Sequence, residues 1–372
     1  GILGMPVTDP NVANYTELAQ KAGIDIEFRI LDYGAVHPNN YRIFAQDEDG
    51  YSHEWEAVSV GGGMIEMQKF DGFEIKMAGD FFEVLIAADC SEKSAEKIME
   101  IIDHYVSGYD FALTDTKDSR VLFELKFAEK PSLDALEKLN NEDLVIDVVF
   151  IEPILPTHSR AGCKVPFLTS DELIELSKTD SRELWEFALL YESCRGNTSE
   201  EEVFRKMSDL VAIMENAVEE GLRGTEYKDR ILGYQSYKID EGIKKKKLAP
   251  CDLLNTVIKY ITAIMEVKSS MGVIVAAPTA GSCGCLPGTL IGVGRSIGAS
   301  RDEITKGMLA AGSIGIFIAE SATFAAEVAG CQVECGAGSA MAAAGVAQML
   351  GGTVEECINA ASIALQNVTG LA

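Results

Sequence analysis

SSMGVIVAAPTAGSCGCLPGTLIGVG, residues 269–294, carries no charged side chain, and an uncharged run of ~20 residues or more is long enough to cross a bilayer. Whether it does so decides the fold. Pro278, Pro287 and six glycines interrupt the run. A helix broken at those points would leave backbone N–H and C=O groups facing lipid without partners. The stretch therefore reads as a buried segment of a water-soluble core, where small residues let helices approach closely. Its centre, AAPTAGSCGCLPG (residues 276–288), has a second reading. Glycines let successive N–H groups converge, Thr279 and Ser282 add hydroxyl donors, and a helix start would add its dipole, a combination able to hold a carboxylate. On these residues alone, packing and anion binding stand level.

Helical patterns surround the run. Val203, Phe204, Met207, Leu210, Val211, Met214 and Val218 recur at helical spacing behind a Thr198/Glu201 capping pair and stop at Gly221 and Gly224. Similar starts stand at Thr169/Glu172, Ser300/Glu303 and Thr353/Glu356, so residues 163–372 read as an all-helical domain. Residues 1–77 read as β-rich with one early helix: IDIEFRIL (24–31) and YRIFA (41–45) are strand-like runs parted by HPNN, and VGGG (60–63) interrupts a second strand pair. Residues 78–155 run strand (FFEVLIA), helix (91–106), strands (FALTD and VLFELKF), a helix after Pro131 and a strand (LVIDVVFI). That βαββαβ order predicts a small ferredoxin-like, ACT-like domain. The glycine that amino-acid-sensing domains of this type place after the first strand is not evident in AADCSEK, which favours a scaffold role. PTHSRAG (156–162) is a linker, and the fold class is α+β.

Composition narrows the function. The 372 residues are 47% hydrophobic and 24% charged, as in a soluble globular protein of two or three domains. A formal charge of −26 repels phosphate backbones and anionic lipid, so neither nucleic acid nor membrane is expected as a partner. KKKK (244–247) is the only basic run; it reads as a solvated loop, with an anion-attracting patch as the alternative. Nine cysteines in no regular framework point to a reducing, cytoplasmic setting. No basic-then-apolar leader is visible, and the chain starts at glycine, which suggests that an upstream part is missing.

GCQVECG (330–336) places Cys331 and Cys335 one helical turn apart. They can be two small buried hydrophobes. Zinc is poorly served, because the histidines are His37, His53, His104 and His158 and none is near in sequence; soft thiolates in apolar surroundings suit an iron–sulfur cluster better. GVGRSIG (292–298) has a misplaced third glycine and no preceding strand, so it is not a dinucleotide loop.

Three stretches, VIVAAPTAGSCG (273–284), AEVAGCQVECGAGSAMAAAG (326–345) and ASIALQNVTGLA (361–372), together resemble the catalytic part of the iron–sulfur-dependent L-serine dehydratases (L-serine ammonia-lyases), over residues 167–372. IDIEFRILDYGAVHPNN (24–40) and VSVGGGMIEM (58–67) resemble the same family's other domain, which some members carry on a separate subunit. The resemblance implies dehydration of L-serine to aminoacrylate, and hence pyruvate and ammonia. It further implies a [4Fe–4S] cluster on three cysteines with one iron open to substrate, and a homo-oligomer. Cys331 matches the first ligand. The others, in the family's GL-x-C-D-P and VPC motifs, are expected beyond Ala372, and the family's amino-terminal SSSHT motif is not found, so an internal piece of a longer protein is expected.

Cys283, Cys285 and Cys335 match no ligand position, and Cys335 is expected to pack. By the same resemblance Thr279, Ala280, Gly281 and Ser282 bind the substrate's carboxylate or amino group. His37 is the candidate catalytic base, with turn formation as its other reading; the remaining histidines are expected at the surface or in the core. Lys268 and Ser321 stand where many members have asparagine. Competing readings are elimination from L-cysteine, and a non-catalytic amino-acid-binding protein whose working part is residues 79–155. A membrane bundle is disfavoured by Glu320 and Glu327.

Overall fold

In a computed structural model that describes residues 3–155, 163–227, 233–330 and 332–370, apart from the side chains of Glu327 and Gln332, the chain begins with a 3-10 turn (Pro10–Asn14) and helix α1 (Tyr15–Lys21). A four-stranded antiparallel meander follows, β1 (Asn40–Gln46), β2 (Ser52–Gly61), β3 (Met64–Phe70) and β4 (Phe73–Met77), paired in sequence order. The strand expected at 24–31 does not form. IDIEFRIL is irregular, with Phe28 76% and Ile30 103% exposed, because strand propensity without a neighbouring ladder or a face to bury does not make a strand.

Next come β5 (Phe82–Asp89), α2 (Ala95–Tyr105), β6 (Phe111–Lys117), β7 (Arg120–Phe127), α3 (Leu133–Asn140) and β8 (Val145–Ile151). The strands pair antiparallel in the order β6-β7-β5-β8, which is the ferredoxin-like order that the sequence predicted. Alternation along the strands splits this sheet's two faces. Val84, Ile86, Phe123 and Leu125 pack in one core with Ile98 and Ile102 of α2 and Leu136 and Leu139 of α3. Leu85 and Leu122 point the other way, onto Phe70, Phe73, Ile75 and Met77 of the first sheet. The two sheets thus share a core.

That second face also carries charge. Lys126 lies 3.0 Å from Glu83 and 3.1 Å from Glu124, and Glu124 accepts from the Lys76 N–H at 2.9 Å. One cation faces two carboxylates inside a dry interface, so burial, with the neighbouring Glu124 adding to it and Lys126 opposing it, pushes Glu83 up to about 8. His53 stands between Asp71 (2.8 Å) and Asp147 (3.4 Å) and links the two sheets a second time.

The rest is helical: α4 (Ser170–Ser177), α5 (Leu184–Gly196), α6 (Glu200–Arg223), α7 (Ser236–Lys244), α8 (Asp252–Ser269), α9 (Cys285–Ile297), α10 (Arg301–Ser321), the single turn α11 (Ala326–Ala329), α12 (Gln332–Met349) and α13 (Val354–Val368). Thr169, Ser300 and Thr353 cap their helices in reciprocal capping boxes, as their spacing predicted. For α6 the cap is Ser199, not Thr198: the Ser199 hydroxyl accepts from the Glu202 N–H, while the Thr198 N–H closes the end of α5 on Ser193 O. The KKKK run is tied down by i,i+4 pairs, Lys244 to Asp240 and Lys245 to Glu241, at the end of α7, in keeping with the solvated reading. No helix among the described residues is long and apolar enough to cross a membrane.

Small residues set the helix spacing. A Cβ on Gly288 would come 2.7 Å from the Ile261 amide nitrogen, and one on Gly221 would come 2.2 Å from the Ala263 carbonyl oxygen. Gly221 therefore lies inside α6 as its contact with α8, and Gly224, at φ 107°, ends the helix. Two outcomes follow from this packing. Gly221→Ala, which in an isolated helix would help, is expected to lower unfolding stability by about 2 kcal/mol in denaturant titration, the usual cost of overfilling a packed contact; an unchanged midpoint would show that α6 and α8 are not so close. Glu83 holds its proton more tightly folded than at its ordinary value of 4.5, so its contribution is full below that value and is lost as pH rises towards about 8. The melting temperature of the parent protein should therefore fall more between pH 5 and 8 than that of Glu83→Gln, and equal slopes would contradict the assignment.

Candidate active site

Residues 278–284, the last part of the connection from α8 to α9, form a tight loop built on two hydroxyls. The Thr279 N–H donates to Ser282 Oγ at 3.2 Å, the Ser282 N–H donates to Thr279 Oγ1 at 3.1 Å, and the two hydroxyl oxygens are 2.9 Å apart. Both side chains are buried. Each hydroxyl thereby satisfies the other residue's amide, as buried polar groups must be satisfied, and the turn is locked. Thr279 Oγ1 also donates, at 3.0 Å, to Glu334 Oε1, in the first turn of α12.

The brace shapes what the loop offers. A Cβ on Gly281 would lie 2.1 Å from Glu334 Oε2, so only glycine lets the carboxylate rest against the loop. The amides of Ala280 and Gly281, both half-buried, donate to no acceptor among the described residues. Two adjacent N–H groups without acceptors thus lie beside a fixed carboxylate, a combination suited to a polar ligand. Residues 279–282 thus form one hydrogen-bonded unit. Within the unit, Thr279 and Ser282 hold the turn, and Ala280 and Gly281 present donors.

The first sheet covers this loop. The turn between β2 and β3 takes three glycines with positive φ, of which Gly61 is at 93° and Gly62 at 66°. A Cβ on Gly62 would be 3.2 Å from Pro278 O, and one on Gly61 would be 2.5 Å from the Ala325 backbone. VGGG is therefore a docking tip as well as a hairpin turn, seated on the loop and on the segment leading to α11.

Cys331 lies outside the described residues. Cys283 is buried against Met265 (Sγ to Sδ 3.8 Å), and burial pushes its thiol up to about 11; the positive charge of Lys268 opposes this and the negative charge of Glu334 adds to it. Burial likewise pushes up Cys285 and, to about 11, Cys357, so both stand as thiols in these surroundings. Cys335 is exposed, against the expectation that it packs: Gly338, one turn on, takes the contact with Cys285 and Ser282 instead. Among the described residues no three or more His, Cys, Asp or Glu side chains stand together so as to hold a metal ion. These residues alone do not fit a cluster.

His37 sits in the turn before β1, where its Nδ1 accepts from the Asn39 N–H at 3.1 Å, as its turn-forming reading requires. No hydrogen bond or ion pair among the described residues joins it to the loop. Lys268 is in the last turn of α8. Ser321 borders a cleft of about 520 Å³ between α10, α12 and α13. Phe317, Ile318, Val333, Ile358 and Leu365 make that cleft's wall largely apolar, unsuited to a small zwitterion, and no residue of 278–284 lines it. Sequence reasoning missed Glu334. Its signal was there, an acidic side chain in a stretch otherwise of small residues, like Glu320 and Glu327.

Residues 130–372 match the family described as serine dehydratase alpha chain. The chain is 33% identical over 205 residues to a probable L-serine dehydratase alpha chain of Bacillus subtilis, covering 55% of this chain and 68% of that one. It is 37% identical over 206 residues to the L-serine dehydratase alpha chain of Peptoniphilus asaccharolyticus, covering 55% and 70%. A probable L-serine dehydratase beta chain of Bacillus subtilis is 37% identical over 86 residues, 23% of this chain and 39% of that one. A family match that spans the whole helical region, joined to the loop and motifs described above, shows that the chain belongs to the serine dehydratase alpha chain family.

Proposed function

We propose that the protein is a cytoplasmic L-serine ammonia-lyase that converts L-serine to pyruvate and ammonia with the help of a [4Fe–4S] cluster, for which Cys331 supplies one thiolate and residues outside those described supply the rest. The observation that supports this best is the loop 279–282, which presents two free amides beside a braced carboxylate in a chain of the serine dehydratase family. We further take residues 1–77, 78–155 and 163–372 as its domains, and a homo-oligomer as its assembly.

The reaction is an elimination. A base removes the Cα proton, the electron pair forms the Cα–Cβ double bond, and the Cβ–O bond breaks with its pair leaving as water once protonated. The aminoacrylate then tautomerises to an imine, which water hydrolyses to pyruvate and ammonia. Hydroxide is a poor leaving group, and an iron–sulfur cluster supplies a Lewis acid for it when bound. The chain's own part is orientation. The Ala280 and Gly281 amides hold one end of the amino acid, the Thr279–Ser282 pair keeps them aimed, and the glycine tip of the first sheet covers the loop from water. Preset donors of this kind need no rearrangement during the reaction. His37 remains the proposed base.

Full-length protein purified without oxygen should form pyruvate and ammonia in equal amounts from L-serine, and should lose that activity on iron removal. Thr279→Val, which deletes the central hydroxyl of the brace and so misplaces the two amides, should lower kcat/KM about a hundredfold, as a shift of ~1 Å in a site can. Absence of pyruvate overturns the assignment, and full activity in iron-free protein overturns its metal component.

A further inference from the structure

Glu334, besides its place in the brace, faces the loop without a cation. Its carboxylate reaches the loop from α12, takes one hydrogen bond from Thr279 Oγ1 at 3.0 Å, and rests against Gly281. No lysine, arginine or histidine of the described residues forms an ion pair with it, whereas Glu215 and Glu219 meet Arg295 and Asp240 meets Lys259; Glu266, another carboxylate without a cation in this region, takes three hydrogen bonds instead of one. A half-buried carboxylate without a cation is costly unless one arrives with the ligand. Beside it the Ala280 and Gly281 amides lack acceptors, and an arriving carboxylate would supply them. The two needs lie side by side on one loop and are opposite in sign. Together they describe an α-amino acid, whose ammonium and carboxylate are separated by one carbon.

We propose that Glu334 binds the substrate's α-ammonium while the Ala280 and Gly281 amides take its α-carboxylate, so that Glu334 makes the site selective for amino acids over hydroxy acids. This rests on the proposed function and assigns its two ends. Thr279 then has a second task, because its hydroxyl fixes one carboxylate oxygen and leaves the other free for the ammonium. Gly281 has one too, since a Cβ there would collide with the Glu334 carboxylate and push it off the loop.

The test uses L-alanine and L-lactate, which share a carboxylate and a methyl group and differ in ammonium against hydroxyl; neither has a leaving group on Cβ, so neither turns over. Calorimetric binding to the full-length protein should favour L-alanine over L-lactate. Glu334→Gln keeps the shape and the acceptor for Thr279 but removes the charge. It should weaken L-alanine about tenfold or more, the effect of one lost charge-assisted hydrogen bond, and leave L-lactate within about twofold. Equal weakening of both ligands would mean that Glu334 only holds the loop, and overturns the proposal. So does an unmodified protein without preference for L-alanine, a result that needs no variant to fold. If the unmodified protein binds neither ligand, the loop is not the substrate site and the proposed function fails with it.

Discussion

The hydrogen-bonded brace from Ser282 through Thr279 to Glu334 is the constraint on which the rest of this molecule depends. It closes a loop of small residues without any side chain large enough to close it by packing. Because each hydroxyl answers the other residue's amide, the turn closes on itself, and the Ala280 and Gly281 amides are among those left without an acceptor among the described residues. The brace also sets where α12 begins relative to α9, since Glu334 belongs to one helix and Thr279 leads into the other. Fold and site are thus joined by one bond network.

Close backbone approach is the second theme, and it explains why the charge-free run is so rich in glycine. Gly284, Gly288 and Gly292 allow α9 to lie directly on α8, at Ile261, Met265 and Val257. Gly61 and Gly62 allow a hairpin from a different sheet to seat on the loop. In each place the missing Cβ removes a clash of 3.2 Å or less, and any other residue would push the partners apart. The first sheet in turn is anchored through its shared core with the ferredoxin-like sheet, so the hairpin tip is held from behind by a rigid pair of sheets.

Much of this was legible in the sequence. Period-2 and period-3.6 patterns gave β5 to β8 and the long helices, and three of the four capping pairs were placed correctly, because those signals are local and each acts within one turn. The fourth pair slipped by one residue since Thr198 and Ser199 are adjacent and both can cap; only the end of α5 chooses between them. The strand at 24–31 was misread because alternation records a preference and not a partner. Glu334 was overlooked since its role exists only across 55 residues of chain, and Cys335 was misjudged because a cysteine's burial depends on which face of α12 meets α9. The contact of VGGG with the loop likewise joins segments that no local pattern connects.

The central claim is that this loop, and not the apolar cleft between α10, α12 and α13, receives the substrate. A crystal structure of the full-length protein with L-alanine bound tests it most directly. The account predicts ligand carboxylate oxygens within hydrogen-bonding distance of the Ala280 and Gly281 nitrogens and the ligand nitrogen against Glu334. Electron density for the amino acid in the cleft near Phe317 and Ile358, with the loop unvisited, would contradict it.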